Sequence, residues 1–243
     1  FLTPSFGFDS ELGPNMTNRY YYAIDKDKDA TFGVLTSTNE LPLGLAEYRQ
    51  RFNRAYIKLN ASATSSDRLD RENGLNVQKD DSFRGHLFGE GLWDINDKWR
   101  AGFDVQLTTD DQFLRRYNIS DEDVLETEVF AERFDERDYF AVRGFGFQDI
   151  RISSEDIDQP DVIPEITYSH ISDPGSVLGG RYSLDGSVLS LRRAGEGQDV
   201  TRALVKGGWR RQSVFPFGAV LDTHTLVRGD LFNVRDRDIA TLS

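Results

Sequence analysis

The sequence contains no cysteine and no long apolar run, and both absences narrow what the chain can be. Without cysteine there are no disulfides, no thiolate chemistry and no cysteine-ligated metal within this segment. No window approaches the roughly 20 consecutive apolar residues that a membrane-spanning helix needs, which excludes a helical membrane protein. Mean hydropathy is -0.53, but a transmembrane β-barrel carries polar side chains on its inner face, so this value does not exclude a barrel.

Basic residues are fewer than acidic residues in this sequence. The chain has 29 Lys and Arg against 41 Asp and Glu, a formal net charge of -12. A nucleic-acid partner needs a basic surface to neutralise phosphate, so this balance argues against one. The 243 residues could form one large all-β domain or two ordinary domains. Neither end carries a secretory signal or a stop signature, and we interpret both ends as cuts in a longer protein.

Motifs for catalysis or metal binding are missing from the sequence. His86, His170 and His224 lie far apart and lack the spacing of a metal site, so we interpret each as a strand residue. The acidic run at 25–29 lacks the glycine and the final glutamate of a calcium loop, which favours a charged turn. No nucleophile motif stands in its proper context. The sequence therefore predicts no metal, no cofactor and no catalytic residue, and favours a transport component over an enzyme.

Alternation of apolar and polar residues is the main structural signal. The clearest strand is 99–108, whose apolar face comprises Trp99, Ala101, Phe103, Val105 and Leu107. Its other face includes Arg100, Asp104 and Gln106. Similar signals recur at intervals of roughly ten residues and predict about thirteen strands. The predicted strands are 1–8, 15–24, 30–37, 44–52, 55–64, 83–92, 99–109, 124–135, 139–150, 163–172, 177–194, 202–214 and 219–235.

The predicted connections alternate between short and long. The short ones are 25–29, 53–54, 94–98, 136–138, 173–176 and 215–218. The long ones are 38–43, 65–82, 110–123, 151–162 and 195–201, and their polar composition predicts solvated hairpin ends. Bacterial barrels have tight periplasmic turns and longer extracellular loops, and Tyr and Trp gather at the membrane boundary. Aromatic residues bracket the short turns, for example Trp93 and Trp99.

These features predict an all-β fold, namely a segment of an antiparallel transmembrane β-barrel with about thirteen strands of a larger barrel. A soluble sandwich, solenoid or propeller fragment also has alternating strands and turn-rich connections. Such a fold would produce the alternating connections and the aromatic girdle only by chance. Pro4 is predicted to lie inside the first strand, where it could not donate to the ladder; alternatively, it starts that strand.

The order of several segments resembles the barrel of the LPS-assembly protein family LptD, also called organic solvent tolerance protein. The resemblance runs over nearly the whole chain and depends on the order of its pieces. These are FLTPSFGFDSELG, NRYYYAIDKDKDATFGVLTS, GLAEYRQRF, WRAGFDVQLTTDDQFLRRY and DVIPEITYSHI. None is a catalytic fingerprint. The resemblance implies that residues 1–243 are the first half of a large barrel, with a periplasmic jellyroll upstream and further strands downstream.

The resemblance also implies a function and partners. Such a barrel inserts lipopolysaccharide into the outer leaflet of the Gram-negative outer membrane by opening laterally between its first and last strands. Pro4 matches a family proline that weakens pairing there, and Arg100, Asp104 and Gln106 would face the polar lumen without individual specificity. The implied partners are lipopolysaccharide, the plug lipoprotein LptE, the periplasmic bridge protein LptA, the barrel-assembly machinery and membrane lipid. Family members often carry disulfides, which the absence of cysteine here puts in doubt.

Two alternatives remain open on the sequence alone. A general porin or a receptor barrel would share every physical feature described above, and only the segment order favours the assembly protein. A soluble carbohydrate-binding or hydrolytic β domain is the alternative from another class. Dependence on detergent would separate a soluble domain from a barrel.

Overall fold

Most of the described residues lie in β-strands in the computed structural model. The structure describes residues 2–72, 75–151, 159–193 and 198–236, without the side chains of 67–81, Val177 and Asp236. The strands are β1 (Ser5–Asp9), β2 (Gly13–Ala23), β3 (Lys28–Ser37), β4 (Leu43–Arg51), β5 (Ala55–Glu72), β6 (Leu75–Asp94), β7 (Trp99–Thr108), β8 (Val124–Asp135), β9 (Asp138–Asp149), β10 (Asp161–Ile171), β11 (Arg181–Arg192), β12 (Gln198–Val214) and β13 (Val220–Asp236). A short helix, α1 (Phe113–Arg116), and a 3-10 turn at Val177–Gly179 complete the secondary structure of these ranges.

All thirteen strands belong to one sheet, and their order in the sheet is their order in the chain. The predicted all-β antiparallel fold and the predicted number of strands are therefore confirmed. Since each strand runs antiparallel to the strands before and after it, successive connections lie at alternate ends of the sheet. Across the described ranges, no helix is both long and apolar enough to cross a membrane.

The strict alternation of connection lengths is wrong in two places. The predicted loop 65–82 is mostly strand, because β5 and β6 remain paired as far as Glu72 and Leu75; residues 73–74 lie outside the described ranges. Backbone hydrogen bonds hold this extension, so polar side chains do not end it. The opposite error occurs at 172–180, which exceeds the connection 38–42 in length. There the predicted strand 177–194 begins only at Arg181, after the 3-10 turn.

Two other predicted loops lie partly beyond the described residues. Residues 152–158 of the predicted loop 151–162, and residues 195–197 of the predicted loop 195–201, fall outside those ranges. Contacts divide the chain into two compact units. Unit 1 comprises 1–93, 102–128 and 147–159, and unit 2 comprises 94–101, 129–146 and 160–243.

The strand register of unit 1 separates a polar face from an apolar face. One register row runs Arg19, Gly33, Leu45, Ser62 and His86. The next row on the same face runs Tyr21, Thr31, Glu47, Asn60 and Phe88. The row between them, on the opposite face, runs Tyr20, Phe32, Ala46, Ala61 and Leu87. Because side chains alternate along every strand, in-register pairing keeps the two sets apart.

Unit 2 shows the same separation. A polar row runs Tyr139, Ser169, Asp185, Lys206 and Arg228. The adjacent row, on the other face, runs Phe140, Tyr168, Gly186, Val205 and Gly229. The β10 ladder shifts register between Val162 and Glu165 towards both neighbouring strands, and the Ile163–Pro164 peptide in this stretch is cis. Proline has no N–H to donate to a ladder, which agrees with an irregularity at this point.

The buried apolar core of unit 1 is small and lies at one end of the sheet. Its members are Leu12, Leu43, Phe113, Leu114, Tyr117, Leu125 and Ile150. Three of them come from α1 and the residue that follows it. The core therefore forms where the β7–β8 connection folds against the ends of other strands.

Candidate functional site

An open cavity of about 750 Å³ lies on the polar face of unit 1. Asp104 and Gln106, two of the residues predicted to face a lumen, both line it. They also line a neighbouring cavity of about 320 Å³ together with Glu126 and Glu128. The Oε1 atom of Gln106 is buried and has no hydrogen-bond partner among the described residues. A buried acceptor of this kind needs water or a polar solute, so the cavity suits hydrophilic contents.

Charged side chains of both signs line the wall of this cavity. The Lys58 ammonium lies 3.5 Å from a Glu90 carboxylate oxygen, across the β5–β6 pair. Close by on the same face, Arg49 Nε donates to Asp29 Oδ1 at 2.9 Å, across the β3–β4 pair. These ion pairs are partly exposed, so their contribution to stability is small. Their arrangement gives a hydrophilic wall of alternating charge and does not form a specific pocket for one ion.

His86 faces the same cavity, but its partners give it a structural role. Its Nδ1 atom lies 2.6 Å from Ser62 Oγ, and its Nε2 atom lies 2.9 Å from Asn60 Oδ1. The imidazole ring also contacts Phe88 edge-to-face, with ring centroids 4.7 Å apart. Neither neighbour is a carboxylate that could orient a general base. No group of three or more metal-binding side chains suited to a metal ion occurs in the described part of the chain.

Arg100, the third predicted lumen residue, belongs to unit 2. Its Nε atom donates to Asp94 Oδ1 at 3.0 Å, and its Nη1 atom lies 3.9 Å from Glu132 Oε1. Glu132 also accepts from the Tyr139 hydroxyl at 3.1 Å and lies 3.7 Å from Arg143. Arg100 is thus part of a partly exposed ion-pair network. Nothing distinguishes it as a binding residue for a particular ligand.

The β7–β8 segment, residues 109–123, packs into the core of unit 1, whereas residues 110–123 were predicted to be a solvated loop. Phe113 and Leu114 of α1 are fully buried. Beside them, the buried Arg84 guanidinium donates from Nη2 to Asp110 Oδ1 at 2.7 Å and from Nε to Asp110 Oδ2 at 2.9 Å. The prediction failed because charged residues dominate the segment and hide its apolar residues. Tyr117, which directly follows α1, is buried as well. Its burial raises the pKa of its phenol, and the nearby Glu40 carboxylate raises it further.

Pro4 lies immediately before β1, which begins at Ser5, so the first of the two predicted positions, inside the strand, is wrong. The β1–β2 register covers only Ser5 to Asp9. Beyond Pro4, the backbone N–H of Leu2 again donates to the carbonyl of Arg19, at 2.9 Å. The ladder is therefore interrupted next to a residue that has no N–H.

The apolar face exposes many large side chains. On β1, Phe6 and Phe8 are 79% and 80% exposed. Further examples are Tyr20, Phe32, Val34, Leu87, Leu107, Val129, Leu184, Val205, Val227 and Leu231. A water-soluble protein rarely exposes so many large apolar groups on one sheet face. An antiparallel meander with one polar face and one exposed apolar face is typical of the class of outer-membrane β-sheet proteins. In these proteins, successive side chains along each strand face lipid and lumen in turn.

Comparison with known proteins places the chain within that class. The family model described as LptD, LPS transport system D, matches residues 82–240. The LPS-assembly protein LptD of Shewanella frigidimarina (strain NCIMB 400) is 25% identical over 185 residues, covering 71% of this chain and 22% of that protein. The chain thus spans about a fifth of the length of this curated relative. The chain belongs to the LptD family.

Family membership confirms the resemblance found in the sequence. The predicted transport role stays a proposal, because the chain spans only part of the relative's length. An outer-membrane location agrees with both the family and the exposed apolar face. The roles predicted for Pro4, Arg100, Asp104 and Gln106 remain predictions.

Sequence reasoning missed the Arg84–Asp110 pair and the inward packing of α1. The two partners are 26 positions apart, and neither belongs to a recognisable motif. One signal was available: Phe113, Leu114 and Tyr117 have the spacing of one helical face within an otherwise polar segment. That spacing predicts a short buried helix better than a solvated loop.

Proposed function

We propose that the chain is the first half of an LptD-type barrel, which inserts lipopolysaccharide into the outer leaflet of the outer membrane. The barrel does so by opening laterally along a seam between its first and last strands. In this proposal residues 1–243 are one partial barrel domain, joined in the full protein to a periplasmic jellyroll and to further strands. The observation that carries the proposal is membership of the LptD family, whose name describes LPS transport.

The separation of polar and apolar faces supports the transport step. Lipopolysaccharide combines acyl chains with a hydrophilic sugar portion, so its route must offer both environments. Asp104 and Gln106 line a polar cavity, and Arg100 lies in a polar ion-pair network. Together, such side chains would keep the path of the sugar portion hydrated, while the acyl chains stay in lipid. No bond is made or broken in this process.

Pro4 is the proposed weak point of the seam. It directly precedes β1, which has only five residues in its ladder with β2. Because the seam lies between the first and last strands of the full barrel, a first strand that is held to β2 by a short ladder beside a missing donor can shift at the seam more readily. The proposed partners are lipopolysaccharide as cargo, the plug lipoprotein LptE, the bridge protein LptA, the barrel-assembly machinery and surrounding lipid.

Depletion of the full-length protein tests the function. We expect lipopolysaccharide at the cell surface, measured by an impermeant label, to fall as the protein disappears. The substitution Pro4→Ala tests the seam, because it supplies the missing N–H and should strengthen pairing there, which slows the appearance of new lipopolysaccharide at the surface. Ser5→Ala is the matched control, since Ser5 already has an N–H.

Two results would contradict parts of this proposal. If depletion changes the uptake of small solutes and leaves surface lipopolysaccharide unchanged, the chain is part of a porin or receptor barrel instead. If Pro4→Ala and Ser5→Ala export lipopolysaccharide at the same rate as the unchanged protein, Pro4 has no part in the seam.

A further inference from the structure

Side-chain contacts attach the β7–β8 segment to the rest of unit 1 at several places. Asp110 holds the buried Arg84 of β6 through two hydrogen bonds. Arg116 pairs with Glu40 in the β3–β4 connection. Asn118 Nδ2 donates to Oδ2 of Asp9, the last residue of β1, at 3.3 Å. One short segment therefore connects β6, the β3–β4 connection and the first strand.

Apolar contacts reinforce the attachment to the first strand. Leu12, in the turn that joins β1 to β2, belongs to the same buried cluster as Phe113, Leu114 and Tyr117. Asp9 itself organises this turn, because its Oδ1 accepts from the backbone N–H of Glu11 at 2.8 Å and from that of Leu12 at 3.2 Å. The contact with Asn118 thus reaches a carboxylate that is already fixed in position.

The rest of β1 is held much less firmly. Its ladder with β2 ends at Ser5, next to Pro4, and its two phenylalanines are almost fully exposed. The end of β1 near Asp9 is therefore anchored on two sides, by β2 and by the β7–β8 segment. The end near Pro4 has only the interrupted ladder. Such a strand would separate from the Pro4 end and pivot about its anchored end.

We propose that the β7–β8 segment is a clasp for β1, which must release Asp9 and Leu12 before the first strand can move fully away from its place in the sheet. Asn118 and Asp110 act as positioning residues in this clasp: Asn118 contacts β1, and Asp110 fixes the segment to β6. This inference rests on the proposed function, because it assumes that movement of β1 accompanies lipopolysaccharide release.

A reversible covalent lock tests the clasp in the full-length protein freed of other reactive thiols. The lock uses Ser10→Cys with Asn118→Cys, joined by a short bifunctional thiosulfonate reagent that a reductant removes. Ser10 is exposed and follows Asp9, so its replacement leaves the hydrogen bonds of the turn intact. The matched control is Arg115→Cys with Asp123→Cys, an ion pair whose two members both lie in the β7–β8 segment.

The expected result is that locking Ser10→Cys to Asn118→Cys lowers new surface lipopolysaccharide to the level of protein-depleted cells, and that reductant restores it. The same protein without the reagent should export at least as fast as the unchanged protein, because Asn118→Cys removes a clasp contact to Asp9 and leaves β1 free to move. This export shows that the variant folds. The locked control pair should export normally.

Equal export from the locked and unlocked Ser10→Cys/Asn118→Cys protein would overturn the clasp while leaving the proposed function intact. A block by both locked pairs would also overturn it, because the effect would not depend on β1. If depletion of the whole protein leaves surface lipopolysaccharide unchanged, the proposed function fails first, and the clasp falls with it.

Discussion

Arg84 is the most deeply buried charged side chain among the described residues, with no exposed surface. Its guanidinium is satisfied by the bidentate Asp110 carboxylate, by Ser66 Oγ at 3.3 Å, and by the face of the Phe113 ring. A buried ion pair of this quality contributes little compared with a well-packed apolar pair, but loss of one partner leaves a charge in a poorly solvated place. The pair therefore determines where the β7–β8 segment sits.

Removing the negative charge at this position should destabilise the protein strongly. We expect Asp110→Asn to lower the free energy of unfolding by about 3 to 5 kcal/mol, because Arg84 then remains charged and only partly hydrogen-bonded. The measurement is urea unfolding of the full-length protein in detergent micelles. Asp222→Asn, which breaks the exposed pair with Arg210, is the control and should change little. Similar losses for the two variants would mean that Arg84 is well hydrated.

At the scale of elements, two neighbouring strands of unit 1 fit closely because glycine faces an aromatic ring. A Cβ added to Gly91 on β6 would lie 2.5 Å from the Phe103 ring of β7, and one added to Gly89 would lie 2.9 Å from Leu59. The ring therefore covers the surface that the glycines leave open. Periodicity alone located Phe103 on the apolar face, but not this contact.

Gly91→Ala should therefore be destabilising, although alanine normally suits a strand better than glycine does. Phe103 must move to admit the methyl group, and overpacking of this kind costs about 1 to 3 kcal/mol. Gly207→Ala on β12 is the matched control, since a Cβ there has nothing within 4 Å. Unfolding in micelles measures both variants, and an equal effect would show that Phe103 does not constrain Gly91.

The connections between strands should be distributed on the two sides of the membrane according to the strand order. Lys26 and Asn96 lie in the β2–β3 and β6–β7 connections, at one end of their strands. Thr38 and Asp121 lie in the β3–β4 and β7–β8 connections, at the other end. All four residues are exposed, so each can carry a reactive cysteine.

On intact cells, cysteines at Thr38 and Asp121 should react with an impermeant thiol reagent, and cysteines at Lys26 and Asn96 should react only after the outer membrane is breached. Labelling of all four sites on intact cells would indicate a surface-exposed soluble domain. The reverse pattern would mean that the barrel is inserted with its short turns outward.

For the whole molecule, the decisive property is whether the apolar face is surrounded by water or by lipid. Val205 on β12 is 58% exposed, and its register partners Gly186 and Gly229 leave it uncovered. The next residue, Leu204, points to the other face, between Ser187 and Asp230. In water the two positions would tolerate a charge about equally. In a membrane sheet they would not.

Val205→Arg should therefore interfere with folding into the membrane far more than Leu204→Arg does. An arginine on the lipid face near the bilayer centre costs about 2 to 4 kcal/mol, whereas a lumen position costs little. The folded fraction of each full-length variant in outer-membrane preparations, measured by heat-modifiable migration, compares them. A harmless Val205→Arg would place this face in water and contradict a transmembrane sheet.

The sequence by itself determined the class of fold, because side-chain alternation is a local property of each strand. It predicted the number of strands and the turns at 53–54, 94–98 and 136–138, all within a few residues. Local alternation is visible in the sequence because, in a strand with one polar and one apolar face, the residue type must repeat every two residues. Resemblance in segment order added the family.

Tertiary structure alone decided how far the strands extend and what their ends contact. The β5–β6 pair continues through a polar stretch, since backbone pairing needs no apolar side chains. The β7–β8 segment folds inward because Phe113 and Leu114 find a site beside Leu12 and Leu43, and because Arg84 finds Asp110. Such contacts join residues that are distant in the chain, and neither composition nor periodicity records which distant partners will meet.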